Sequence, residues 1–183
     1  SNDINTVSYW LTQGSFDEDH PICRASSHFH NPLKPWDQSY MSDDPFYINA
    51  WCSGTEFSTR YSNVTWGTGF LTPNGPKIAR NTQDMGWDNA REYYYWALTS
   101  VSNTGRDLFF TKTFRALGHV LHLLQDVSVP AHVRNDFTSH LAFNGFSSVT
   151  PTSWFGNRFE HYLINKNSLI FGATPNLDRK SVV

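Results

Sequence analysis

An apolar segment over residues 106–126 carries histidine and aspartate at helical spacing, and it constrains this chain more than any other segment. His122 and Asp126 are four residues apart, which is about one helical turn, so both side chains leave the same face of one helix. A buried carboxylate needs a partner, because an unpaired charge in an apolar surrounding is costly. Imidazole nitrogen and carboxylate oxygen are both zinc ligands, so the pair indicates a metal site.

Helical spacing of apolar residues extends over much of the chain. The predicted helices are residues 2–13, 85–102, about 106–126 and about 153–166. Gly14 is predicted to end the first helix, and Pro130 follows the end of the third. Gly118 lowers helix stability, which indicates close approach of a neighbouring helix or a metal ligand. We therefore expect an all-α fold, a single-domain helical bundle over residues 1–183 with long irregular loops.

The composition bounds the class of protein. Charged residues make up only 16% of the chain and aromatic residues 16%, which is typical of a folded domain. The net charge of −2 gives no basic footprint for duplex DNA. No apolar run approaches the roughly 18 residues that a transmembrane segment needs. The two cysteines, Cys23 and Cys52, fit either one disulfide or two buried thiols.

Two loops carry further polar side chains. Residues 16–21 form a compact acidic segment, expected to be a loop before Pro21, that contains Asp17, Glu18 and Asp19. A solvated turn is the plainer interpretation of this segment. His28 and His30 flank an aromatic residue where Asn-Pro and Lys-Pro dipeptides prevent a helix. If this segment has an extended backbone, both imidazoles point to the same side.

Residues 37–84 are predicted to be a long irregular excursion with short helical turns, of the kind that often forms functional lids or walls. Asn63-Val-Thr65 matches the glycosylation sequon, a short motif that frequently occurs by chance.

The spacing leaves two interpretations of the histidines open. In the first, His28 and the acidic segment complete a metal site, while His132 and the downstream side chains hold a second metal; the downstream donors are His140 and Glu160. In the second, the helical histidines are hydrogen-bonded core residues and the later ones are exposed. The second interpretation leaves Asp126 without a partner.

Two segments resemble a known superfamily. Ala116–His132 (ALGHVLHLLQDVSVPAH) is similar to the signature of the zinc-dependent phospholipase C and S1/P1 nuclease superfamily, and Ser27–Pro32 (SHFHNP) is similar to a loop of bacterial phospholipases C. The two segments occur in the family's order, and the likeness is to uncharacterised bacterial members. The resemblance implies a mostly α-helical domain with up to three zinc ions (Zn2+) in a cleft.

The resemblance implies a first zinc held by His28, His122 and Asp126, with Asp126 bridging to another metal. A second zinc would be bound by His132 together with a histidine and a glutamate from a later helix.

Glu160 matches the glutamate of that second site. The family has a histidine four residues before it, where this chain has Gly156, so His140 is the proposed substitute.

The third zinc of the family uses a free N-terminal tryptophan and a nearby histidine. This sequence begins Ser-Asn and has no histidine before His20, so we expect two zinc ions, and the start looks processed or truncated. The family's acidic residue acts on the attacking water; Asp17 is the nearest match, with Glu18 and Asp19 as rivals. Arg134 is placed to contact a phosphate oxygen, with a surface ion pair as its alternative role.

These residues lead to three hypotheses of function. The preferred one is a secreted or periplasmic bacterial phosphodiesterase of phospholipase C type, a monomer in which zinc activates water. The second is a single-strand nuclease or 3′-nucleotidase on the same scaffold, with bases stacking on aromatic side chains. The third is a degenerate member that binds metal without catalysis. The sequence does not distinguish between the two phosphodiester substrates, a phospholipid headgroup and a nucleotide.

Overall fold

The computed structural model describes residues 6–42, 52–54 and 60–136 of the 183-residue chain. The α-helices in these ranges are α1 (Val7–Glu18), α2 (Asn63–Thr68), α3 (Trp87–Thr99), α4 (Asn103–Asp126) and α5 (Pro130–Val133). Two 3₁₀-helices, Ile22–Ser27 and Trp36–Gln38, lie between α1 and α2. Within the described ranges there is no β-strand, only an isolated bridge between Phe70 and Lys77.

The described part of the chain is therefore helical, as the sequence predicts. All of it belongs to one compact unit, Ser1–Thr138. None of the helices in this part is long and apolar enough to cross a membrane. The predicted helix at about 153–166 lies outside the described residues, and a single domain over residues 1–183 stays a prediction.

Helix α1 differs from the prediction at its C-terminal end. Gly14 does not end the helix, which continues to Glu18, so the loop predicted over residues 16–21 is wrong for its first half. The reason is packing: a Cβ atom on Gly14 would lie 2.0 Å from the carbonyl oxygen of Arg115 in α4. The glycine is therefore the contact residue of a helix crossing.

Gly118 is the other half of this crossing. A Cβ atom there would lie 2.2 Å from the carbonyl oxygen of Leu11 and 2.9 Å from Cα of Gly14. The prediction that Gly118 permits close approach of a helix is confirmed. Because the two backbones touch, the C-terminal end of α1 runs beside the second half of α4.

Helix α4 is the central element of the described fold and packs against α1, α2 and α3. It begins earlier than predicted, because the Ser102 side chain accepts a hydrogen bond from the backbone N–H of Gly105 at 3.0 Å and caps the first turn. Tyr93 of α3 and Ala116 of α4 lie in the buried core between the two helices. The far face of α4 is more open, since Leu124 remains 63% exposed.

A disulfide joins Cys23 of the first 3₁₀-helix to Cys52. This settles the alternative that the sequence leaves open between a bridge and two thiols.

Candidate metal centre

Three polar side chains from three separate elements meet beside the α1–α4 crossing. Asp19 follows the last residue of α1, His28 follows the first 3₁₀-helix, and His122 lies in the second half of α4. One ligand atom from each lies within 4.8 Å of the others. His28 is buried, His122 is partly buried and Asp19 is exposed, so the cluster opens to solvent on the Asp19 side.

Asp126 joins this group from one turn further along α4. Its Oδ2 lies 3.1 Å from Nδ1 of His28 and 3.5 Å from Nε2 of His122. Oδ1 of Asp19 lies 3.7 Å and 3.5 Å from the same two nitrogens. These separations match the roughly 3.3–3.5 Å between donor atoms that zinc–ligand bonds of about 2.0–2.2 Å produce in a tetrahedron.

The donor chemistry fits zinc as well. Two imidazole nitrogens and two carboxylate oxygens are the hard and borderline donors that zinc takes in catalytic sites. Asp19, His28 and His122 are therefore the group that could hold a metal, and Asp126 contacts both of its histidines.

Asp126 also faces a further histidine. Its second oxygen, Oδ1, lies 3.3 Å from Nδ1 of His132 in α5. The His132 ring is buried and stacks on Phe29 with centroids 4.7 Å apart, and its backbone carbonyl accepts a hydrogen bond from the N–H of His30 at 3.0 Å. The two oxygens of Asp126 thus face different histidines. A bridging role stays a prediction, and the further donors predicted there, His140 and Glu160, lie outside the described residues.

The two histidines of the cluster, His28 and His122, also face residues of α1. Nε2 of His28 faces Oε1 of Glu18 at 3.5 Å. The backbone of Ser15 faces the ring of His122 and acts to raise its pKa, against the larger lowering by burial. One helix therefore supports both imidazoles from behind, as a second layer around a metal site normally does.

Glu18 is fully buried and surrounded by donors. Its Oε2 accepts hydrogen bonds from Nη2 of Arg24 at 2.8 Å and from Nδ1 of His119 at 2.5 Å. Its Oε1 accepts a hydrogen bond from Nε1 of Trp66 at 2.7 Å. The side chain has no exposed surface.

These surroundings fix the charge of Glu18. Burial raises the pKa of the carboxyl, but the hydrogen bond from His119, the neighbouring His28 ring and the positive charge of Arg24 outweigh it, and they hold the pKa well below its ordinary value. The carboxylate is therefore stabilised in its ionised form by protein donors, since solvent does not reach it.

The two cluster histidines are shifted in opposite directions. Burial lowers the pKa of His28, but the nearby carboxylates of Glu18, Asp126 and Asp19 outweigh burial and raise it overall. Burial and the neighbouring charge of His28 lower the pKa of His122. Both histidines thus face the carboxylates of Asp19 and Asp126.

Asn63 fixes the backbone beneath the cluster. Its side-chain Nδ2 donates to the carbonyl oxygens of His28 at 3.1 Å and Leu123 at 2.9 Å, and its backbone N–H donates to Phe29 at 2.9 Å. Asn63 is buried, so the amide that the sequence presents as a sequon is a structural link between the His28 loop and α4.

The other residues singled out in the sequence lie apart from this cluster. Asp17 forms an ion pair with Arg115 of α4, in which Nε and Nη2 both lie 2.7 Å from the same oxygen, Oδ2. Arg134 is 74% exposed in its side chain and lies 3.8 Å from Asp136, the arrangement of a surface ion pair. His30 is half-buried, and burial lowers its pKa.

Sequence reasoning misses the residues that support the site. Arg24, His119 and Trp66 surround Glu18, and Asn63 holds the His28 loop. Only His119 carried a signal, since it lies three residues before His122 on the same apolar helix.

Comparisons of this chain with protein-family models, with curated proteins and with solved structures give no match.

Proposed function

We propose that this protein is a zinc-dependent phosphodiesterase of the phospholipase C type. The metal would be held by His28, His122 and Asp126, with Asp19 beside it and His132 beginning a second site. The observation that carries the proposal is the convergence of Asp19, His28 and His122, from three elements, with donor atoms within 4.8 Å of one another. The resemblance of residues 116–132 and 27–32 to zinc-dependent phospholipases C and S1/P1 nucleases supports the reaction class.

A zinc ion in this position supplies a water of lowered pKa and polarises a phosphoryl oxygen. The side chains divide the remaining work by exposure. His28, His122 and Asp126 are mostly buried and would hold the metal in a fixed place. Asp19 is 47% exposed in its side chain, so it is the carboxylate that can accept a proton from an attacking water.

Neither neighbouring carboxylate is placed for that step. Asp17 is engaged by Arg115, and Glu18 has no exposed surface. Because a general base must reach the proton that it removes, Asp19 is the proposed acid–base residue among the three.

The experiment is hydrolysis by the zinc-loaded full chain of three substrates: bis(p-nitrophenyl) phosphate, phosphatidylcholine vesicles and single-stranded DNA. We expect turnover of the first substrate, abolished by chelator and restored by zinc. Asp19→Asn should lower the rate at least about 100-fold, the usual contribution of a general base. The matched control is Asp107→Asn, an exposed carboxylate nineteen residues before Asp126, or about 28 Å along α4, which should change the rate less than about twofold.

The two natural substrates separate phospholipase from nuclease activity. Cleavage of vesicles alone supports the phospholipase C type, and cleavage of single-stranded DNA alone replaces it by the nuclease. A zinc-loaded chain that turns over none of the three substrates contradicts the proposal and supports a metal-binding protein without catalysis.

A further inference from the structure

Glu18 has an environment that the proposed reaction does not use. It has no exposed surface, and hydrogen bonds from Arg24, His119 and Trp66 occupy both oxygens. A carboxylate so enclosed cannot reach a water in an open cluster. A carboxyl group enclosed by three donors in the interior is costly to bury, so its position needs a reason.

The fourth neighbour of Glu18 is a cluster residue. Nε2 of His28 faces Oε1 of Glu18 at 3.5 Å, while Nδ1 of the same ring faces Oδ2 of Asp126 at 3.1 Å. A neutral imidazole has one N–H and one free nitrogen, and only the free nitrogen can ligate a metal. The ring therefore serves the cluster through Nδ1 only if its proton lies on Nε2.

We propose that Glu18 is a positioning residue that holds His28 in the Nε2–H tautomer and directs Nδ1 toward the metal. This inference rests on the metal site of the proposed function. The three other donors fix the carboxylate of Glu18, so that its Oε1 faces Nε2 of His28. A carboxylate behind a ligating histidine orients the ring and raises its basicity, and loss of such a partner costs about 10–100-fold in metal affinity.

Glu18→Gln is the direct test. Arg24 and His119 both donate to Oε2, so the glutamine oxygen stays on their side and its amide N–H₂ faces His28 and Trp66. The imidazole proton then loses its acceptor. We expect zinc and cobalt affinities, measured by chelator competition, to fall 10–100-fold, with a change in the cobalt absorption bands.

The control must lower stability without touching the support of Glu18. Because Trp66 itself helps to fix Glu18, the variant used is Asn89→Ala, which removes a buried hydrogen bond from the N–H of Gly86 at the start of α3, a helix that supplies no residue of the cluster. It should lower thermal stability while changing metal affinity less than about threefold, the cobalt spectrum being unchanged. Equal losses of affinity in both variants, or wild-type affinity in Glu18→Gln, would show that Glu18 has a structural role only.

A second measurement needs no variant and covers the case in which Glu18→Gln does not fold. Nitrogen-15 NMR of the zinc-loaded wild-type chain reports which ring nitrogen carries the proton. The expected result is a protonated Nε2 in His28 with Nδ1 bound to metal. The opposite tautomer overturns the inference.

The results also separate this inference from the proposed function. A chain that binds zinc, responds to Glu18→Gln and hydrolyses no phosphodiester keeps the inference and loses the proposed reaction. A chain that is catalytically active and keeps wild-type zinc affinity after Glu18→Gln supports the proposed reaction and contradicts the inference about Glu18. A chain that binds no zinc removes both.

Discussion

Three consecutive carboxylates at the end of α1 have three different environments. Successive residues of a helix point about 100° apart, so Asp17 faces Arg115, Glu18 faces the interior and Asp19 faces the cluster. The sequence presents them as one acidic segment with interchangeable members. Their separation follows from the continuation of α1 to residue 18, which depends on the packing of Gly14 against α4.

Asn63 shows how a single amide connects the elements of the site. Asn63→Ala leaves the buried carbonyl oxygens of His28 and Leu123 without their donor, so the free energy of unfolding should fall by about 1–3 kcal/mol. Because the His28 loop loses its link to α4, zinc affinity should fall as well. Chemical denaturation and chelator competition measure the two effects.

The control for this prediction is Asn89→Ala. Asn89 is also buried, and its side chain accepts a hydrogen bond from the N–H of Gly86 at the start of α3. It should reduce stability without changing zinc affinity. Unchanged zinc affinity in Asn63→Ala would refute the proposed link.

At the scale of helices, the contact between Gly14 and Gly118 sets the geometry of the whole site. It brings α1 beside α4 closely enough for Glu18 to meet His119 and for Asp19 to approach His122. Helical periodicity predicts both helices but not their distance, since either glycine also fits a helix end or a flexible position. The prediction for Gly118 is confirmed because a glycine in the interior of an apolar helix lowers helix stability, and close packing is the usual compensation.

Gly118→Ala tests this crossing. The added methyl would lie 2.2 Å from a backbone oxygen, so α1 and α4 must separate. We expect the free energy of unfolding to fall by about 1–3 kcal/mol despite the better helix propensity of alanine, and zinc affinity to fall with it.

Gly67→Ala in α2 is the comparison variant. Its methyl would meet only the Leu123 side chain, at 3.3 Å, which can adjust. Stability within about 1 kcal/mol of wild type is expected there. Wild-type stability in Gly118→Ala, measured by chemical denaturation, would mean that the helices are not in close contact.

At the scale of the molecule, the cluster joins segments that are far apart in sequence. Asp19 and His28 lie close to His122 and Asp126 although about a hundred residues separate them in sequence. The Cys23–Cys52 disulfide links two positions 29 residues apart within that interval. The shared face of His122 and Asp126 follows from their spacing, because residues four apart on a helix lie one above the other, whereas His28 is singled out by residue type only.

The supporting residues were not identifiable in the same way. Trp66, Arg24 and Asn63 have ordinary local sequences, and only the tertiary packing brings them to Glu18 and His28. Such contacts depend on interhelical distances and loop paths, for which a single sequence gives no rule. The all-α class follows from local periodicity, whereas the arrangement of the site follows from the packing at two glycines.

Metal content of the full chain, purified without chelator, tests the central claim most directly. We predict at least one zinc per chain in the wild type and loss of most of it in His122→Ala and Asp126→Ala. The exposed His20 serves as a control in His20→Ala, which should keep the metal. Less than one zinc per wild-type chain, or unchanged zinc content in His122→Ala and Asp126→Ala, would contradict the metal site.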